Sequence, residues 1–271
     1  VSDMKLRASY GVNGNLPTGY YGYHGTYTTG AFYNGKPAPW EDAIANPDLT
    51  WEKNYALNLG VDLSLFRRVN LTFDWYTRTT KDLLMSKQLN SISGFGSILT
   101  NVGEMKNTGF EIEVRSSNIQ TKDFSWNTTL SVTWSKEKIE KLPDGDLISE
   151  NLFVGHSIKS IYGYKYTGIW GTNTPQDILD AYGVKPGFIQ IETLEKDGDG
   201  GVHKYSTNDR QVLGHTNPDW IVGLNNTFTY KNFDLSVFAM ARYGQTINSD
   251  LLGYYTAEQS VTTNQLAGAD Y

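Results

Sequence analysis

Glu195, Asp197 and Asp199 run into Gly200 and Gly201 within the stretch EKDGDGGVHKYSTNDRQVLG. Oxygen donors at loop positions 1, 3 and 5, glycine at 6 and a carbonyl at 7 are how an EF-hand-like loop wraps calcium. In that scheme Glu195, Asp197 and Asp199 offer carboxylates and Gly201 its carbonyl. Position 12 should be acidic, but here it is Ser206; Asp209, three residues on, could substitute after a bend. The same residues also make a plain Asp-Gly turn, because both types tolerate tight backbone geometry. Both readings stand on sequence alone. A structural Ca2+ over 195–209 would stiffen a loop, and nothing else in the chain asks for a cofactor.

A second cluster is aromatic. It includes Tyr21, Tyr23, Trp40 and Trp51, with Tyr164 and Trp170 in a later stretch. Exposed rings of this kind stack on sugars or anchor a docking partner. The plainer reading is packing within loops. Catalysis finds little support. His24, His156, His203 and His215 are scattered, and no H-E-x-x-H, G-x-S-x-G or P-loop occurs. Glu111 and Glu113 share a strand face, but Arg115 beside them makes a charge network the better reading of that pair.

These residues must be positioned by strands. The chain has 271 residues, 13% aromatic, with 27 glycines and no cysteine. A net charge of -6 speaks against a nucleic-acid partner. The lack of cysteine removes disulfides and thiolate metal sites. No apolar run approaches the roughly 18 to 20 residues of a membrane helix. Without an initiator Met or a signal peptide, the chain reads as an excerpt.

Alternation with period two is long and repeated. It marks seven segments: Leu6–Val12, Tyr55–Leu65, Val69–Tyr76, Phe110–Arg115, Phe124–Trp134, Trp220–Tyr230 and Phe233–Tyr243. Each sets an apolar face against a polar one. Phe124 and Trp134, Trp220 and Tyr230, and Phe233 and Tyr243 are pairs ten positions apart on one face. Ten residues at about 3.3 Å rise and about 40° tilt span roughly 25 Å, the height of an outer-membrane apolar band with aromatic girdles. Connections alternate between short turns and long loops, the latter estimated at roughly 40, 25 to 30 and 80 residues, as outer-membrane barrels require. A soluble β-sandwich with calcium-dependent glycan binding is the competing reading; it has no reason to sort its loops by parity. Phe238 and Met240 break the pattern by falling on the polar face, so either a bulge re-phases the strand or both residues pack against something inside.

Several motifs together resemble the C-terminal part of a SusC/RagA-type TonB-dependent outer-membrane transporter. They are LRASYGVNGN (6–15), NPDLTWEKN (46–54), DWYTRTTKDLL (74–84), NVGEMKNTGFEIEV (101–114), FSWNTTLSVTWSKEKIEKL (124–142), SIYGYKYTGIW (160–170) and DRQVLGHTNPDWIVGLNNTFTYKNFDLSVFAMARYG (209–244). The resemblance implies an all-β fold: part of an antiparallel transmembrane barrel of about 22 strands, with long extracellular loops. It implies that the plug, TonB box, early strands and last strands lie outside these residues. It implies import of an oligosaccharide or peptide across a Bacteroidota outer membrane, under a SusD-like surface lipoprotein. Drive would come from the TonB–ExbB–ExbD complex acting on the plug, in a dimer of transporter–lipoprotein pairs embedded in outer-membrane lipid. Seven strands cannot close such a barrel, so residues 1–271 alone are expected not to fold stably. A monomeric, cooperatively melting preparation in aqueous buffer would contradict that expectation.

Overall fold

The computed structural model describes residues 1–16, 23–30, 32–194 and 205–249. They form two compact units. Of the described residues, the first holds those within Val1–Ile158 and Pro218–Gly244, and the second those within 159–217 together with 245–249.

The first unit is built on one antiparallel sheet of seven strands. They are β1 (Asp3–Asn15), β2 (Glu52–Leu65), β3 (Val69–Gln88), β4 (Ser97–Gln120), β5 (Phe124–Lys141), β6 (Trp220–Tyr230) and β7 (Phe233–Tyr243). Each strand pairs with its neighbour in this order, so the sheet is a meander. Every expected segment lies inside one of these strands. A sandwich would cover the apolar face with a second sheet; the described residues place all seven strands in one.

The ladder is nearly continuous, so residues from different strands line up in rows. One row holds Ala8, Leu59, Trp75, Phe110, Trp134, Trp220 and Tyr243. Its rings touch: Phe110 and Trp134 are 5.6 Å apart, Phe110 and Trp220 5.7 Å. Another row, ten positions away along β5 to β7, holds Phe124, Tyr230 and Phe233. The two ends of the apolar band are thus each marked by rings, as the spacing predicts. Between these rows sits a mainly aliphatic row of Leu6, Val61, Phe73, Ile112, Val132, Val222 and Ala241.

The turns at one end are short. Phe66 and Arg67 both take positive φ (52° and 54°), and Arg68 N–H donates to the Leu65 carbonyl at 3.0 Å. That twist matches the strands, although neither residue is a glycine. At the other end, residues 16–51 and 142–219 are long insertions, as expected. The expected loop of 25 to 30 residues after the third segment is corrected. β3 and β4 run on as a hairpin to Gln88 and Ser97, closed by residues 89–96. The hydrophobic period stops at Trp75 because Thr77, Thr79 and Lys81 are polar, while backbone pairing continues past it. Asp82, at φ 57°, marks a bulge in that extension.

One row on the apolar side is polar: Ser116, Thr128 and Asn226 lie opposite one another in turn. They are satisfied within the sheet. Thr128 Oγ1 donates to Asn226 Oδ1 at 2.7 Å, and Trp126 Nε1 donates to the same oxygen at 3.0 Å. Asn118 Nδ2 donates to Thr128 Oγ1 at 2.6 Å, and Ser116 Oγ donates to Asn118 Oδ1 at 2.8 Å. A buried polar group that loses its partner is destabilising by about 1 to 3 kcal/mol. Asn226→Ala in the full-length protein should therefore lose stability of about that size. Adding Trp126→Phe, which removes one of the two donors left without an acceptor, should recover part of it. Urea unfolding in detergent reads Asn226→Ala and the double variant alike; an unchanged midpoint in Asn226→Ala would contradict the network.

Candidate functional site

The opposite face of the sheet is polar and carries charge. The row beside the aromatic one contains Arg7, Gly60, Asp74, Glu111, Thr133, Ile221 and Arg242. Arg7 sits between two carboxylates. Its Nε and Nη2 donate to Asp62 at 3.0 Å each, and its Nη1 and Nη2 donate to Asp74 at 2.8 and 2.9 Å. A planar guanidinium can grip two carboxylates in this way, while an ammonium acts as a point charge. Gly60 lies under the clamp: a Cβ there would come within 2.8 Å of Arg7 Cζ and against Asp74 Oδ1. Gly109 is covered similarly by the Tyr76 ring, whose Oη would lie 2.6 Å from an added Cβ.

Glu113 and Arg115 pair on this face at 2.7 Å, as the charge-network reading of Glu111, Glu113 and Arg115 expects. Alongside runs a groove of about 310 Å³ lined by Asn58, Tyr76, Arg78, Asn107 and Glu111. Asn107 Oδ1, in that lining, and Asn54 Oδ1 are buried acceptors without a partner among the described residues. Such acceptors favour a ligand or protein segment that brings N–H or O–H donors. Phe238 and Met240 also lie on this face, 67% and 55% exposed. β6 and β7 pair one to one from Trp220–Tyr243 to Tyr230–Phe233, so no bulge re-phases β7. Phe238 instead stands over Gly223, within 3.8 Å of where its Cβ would be.

The aromatic candidates divide. Tyr23 stacks on His24 at 4.0 Å and stays half-exposed, and Trp40 lies exposed in the short strand Trp40–Ala43, opposite Thr28. Tyr164 is exposed at the end of the strand Ser160–Tyr164. Trp170 is corrected: it is 7% exposed and belongs to the core of the second unit. Its Nε1 donates to Tyr205 Oη at 3.1 Å, and its ring meets Tyr182, which meets Tyr205. Tyr182 ends the helix Gln176–Tyr182, whose Leu179 is also buried. A ring so enclosed cannot be a stacking platform for a ligand. Tyr21 lies outside the described residues.

Of the metal candidates, Glu195, Asp197, Asp199 and Gly201 lie outside the described residues. Asp209 is described and fully buried. Its Oδ1 accepts from Leu194 N–H at 2.9 Å and its Oδ2 from Ser206 N–H at 2.7 Å. With Ser206 it forms the capping box of a short helical turn, Thr207–Asp209. The role visible for Asp209 is to hold the backbones of Leu194 and Ser206 on one carboxylate. The S-x-x-D spacing of Ser206 and Asp209 is a capping signature that sequence reading passed over.

Comparison with known proteins gives a consistent result. The family model described as TonB dependent receptor-like, beta-barrel matches residues 1–239. TonB-dependent receptor P3 of Formosa agariphila is 36% identical over 93% of the chain, and TonB-dependent receptor SusC of Bacteroides thetaiotaomicron is 27% identical over 93%. The RagAB peptide importer in its open-open state superposes over 94% of the chain with a TM-score of 0.77 at 26% identity. The chain spans only 27%, 26% and 27% of the lengths of these three proteins.

Two tests follow from the geometry. In the full-length protein, Arg7→Lys and Gly60→Ala should each lower the temperature at which the folded form is lost on unboiled gels. Ser9→Ala, on the same face of β1 but opposite Asn58, should not. Equal behaviour of all three would remove the clamp from the account. In the second unit, Glu192 accepts from Gln211 Nε2 at 2.7 Å and Lys165 Nζ at 3.2 Å. These partners hold its carboxyl below the ordinary carboxylate range, Gln211 contributing most. A depressed carboxylate stabilises above its unfolded pKa, and that contribution is lost as pH falls through the folded value. Hydrogen-exchange protection at the Glu192 amide, corrected for intrinsic rate, should fall on acidification below the ordinary carboxylate range. The fall should vanish in Glu192→Gln; a fall of equal size in that variant would contradict the assignment.

Proposed function

The chain belongs to the TonB dependent receptor-like β-barrel family, and from that premise we propose that it forms part of the wall, and two outward insertions, of a nutrient importer. Barrels of this family are outer-membrane β-barrel proteins. The observation that carries the reading is the two-faced sheet. Its aromatic and aliphatic rows suit contact with lipid, and its charged rows suit an aqueous lumen.

The substrate in this reading is an oligosaccharide. The exposed rings of Tyr23, Trp40 and Tyr164 offer flat apolar surfaces of the kind sugars stack on. A peptide is the second reading, favoured by the likeness to the RagAB peptide importer. A SusD-like surface lipoprotein closes the outward cavity, and transporter and lipoprotein pair up as a dimer of pairs. TonB, with ExbB and ExbD, acts through a plug to open the path. The named relatives are receptors and importers, and no turnover is part of this reading. A Ca2+ held over 195–209 would serve only to stiffen the insertion. Calcium titration against an Asp199→Ala control tests that point.

The deciding experiment purifies the full-length protein from native outer membrane and identifies what comes with it by mass spectrometry. A lipoprotein partner with bound glycan is expected. Bound peptide would favour the second reading, and a preparation with neither partner nor cargo would contradict both.

A further inference from the structure

The apolar face of the sheet changes character just beyond the aromatic row at the insertion end. Lys136 and Lys138 follow Trp134 on the same face of β5, and Lys106 and Thr108 stand opposite them on β4. Thr108 pairs with Lys136, and Lys106 pairs directly with Lys138. With Trp134 as its floor, this set lines a groove of about 270 Å³. Like charges placed directly opposite across a ladder repel. Neighbouring acids offset only part of the charge. Lys138 pairs with Glu140 at 2.9 Å, and Lys81 takes Glu104 at 3.7 Å. Among the described residues no carboxylate pairs with Lys106 or Lys136.

The position of this ledge selects its partner. Lys136 and Lys138 lie about 5 and 10 Å outward of Trp134, at about 3.3 Å per residue and about 40° tilt. Girdle rings sit at headgroup level. The ammonium groups therefore lie at and just above the headgroups, on the side that faces lipid and not the lumen. An anion that is held in the membrane plane and presented at that depth fits; a soluble cargo on the lumen side does not. We propose that Lys106, Lys136 and Lys138 form a binding site for the phosphorylated headgroup of an outer-leaflet glycolipid. The Thr108 hydroxyl adds a hydrogen-bond donor, and the Trp134 ring adds a surface for the sugar. The inference rests on the outward orientation of the insertions in the reading above.

The test is native mass spectrometry of the full-length protein in detergent, titrated with diphosphoryl lipid A and with the same glycolipid stripped of phosphate. The variant Lys106→Gln/Lys136→Gln/Lys138→Gln should bind the phosphorylated lipid at least tenfold more weakly than wild type. The corresponding triple arginine variant should bind it normally, and the stripped lipid should not distinguish the proteins. If the triple glutamine variant fails to give a folded barrel, Lys106→Gln and Lys136→Gln singly should each weaken binding about threefold or more. Affinity within twofold of wild type in a folded glutamine variant would overturn the site. So would complete displacement of the lipid by inorganic phosphate, which would make it a free-anion site, or binding of the SusD-like lipoprotein there in place of lipid. Loss of the lipid site in an intact outer-membrane barrel would leave the importer reading standing. Absence of the protein from the outer membrane would remove both.

Discussion

Lipid offers a backbone no hydrogen-bond partner, so every N–H and C=O of a crossing strand must be satisfied by a neighbouring strand. The seven-strand ladder is the form this constraint takes here. Because its register is almost unbroken, side chains are sorted into rows, and each row belongs wholly to one face. The aromatic row from Trp75 to Tyr243, the Arg7 clamp and the lysine ledge all follow from that sorting. A one-residue slip anywhere would exchange the lumen and lipid faces of the strands beyond it.

Much of this was legible in the sequence because the two solvents of a barrel wall demand opposite chemistry at alternate positions. Trp134, Trp220 and Tyr243 could be assigned to one rim, and Phe124, Tyr230 and Phe233 to the other, from spacing alone. The exceptions are instructive. Thr128 and Asn226 look like breaks in an apolar face until each is seen opposite the other, and sequence carries no cross-strand pairing. The outer parts of β3 and β4 were invisible as strands because apolar and polar residues no longer alternate there: Leu83, Leu84 and Met85 run together, as do Ile98 and Leu99. Their pairing survives beyond the band where the hydrophobic signal ends.

The insertions were less legible. Trp170 resembled an exposed recognition residue, yet its indole closes a small core with Tyr182 and Tyr205. Asp209 resembled a metal ligand, yet both its oxygens accept backbone N–H groups. In loops the same residue types serve packing, capping and binding, and only three-dimensional neighbours separate these roles. Phe238 and Met240 remain on the polar face in perfect register with β6. An apolar pair there suits a wall that is covered from inside over part of its area.

The central claim is that one face of this sheet meets lipid and the other meets water. These 271 residues contain no cysteine, so each one introduced is the sole cysteine in this part of the wall. Single cysteines placed from 220 to 230 in the full-length protein, in native outer membrane, would be labelled with a water-soluble maleimide and with a lipid-confined one. The account predicts strict alternation: Val222, Leu224 and Phe228 positions take the lipid reagent, and Gly223, Asn225 and Thr227 positions the aqueous one. Uniform labelling by the aqueous reagent along the whole strand would contradict it.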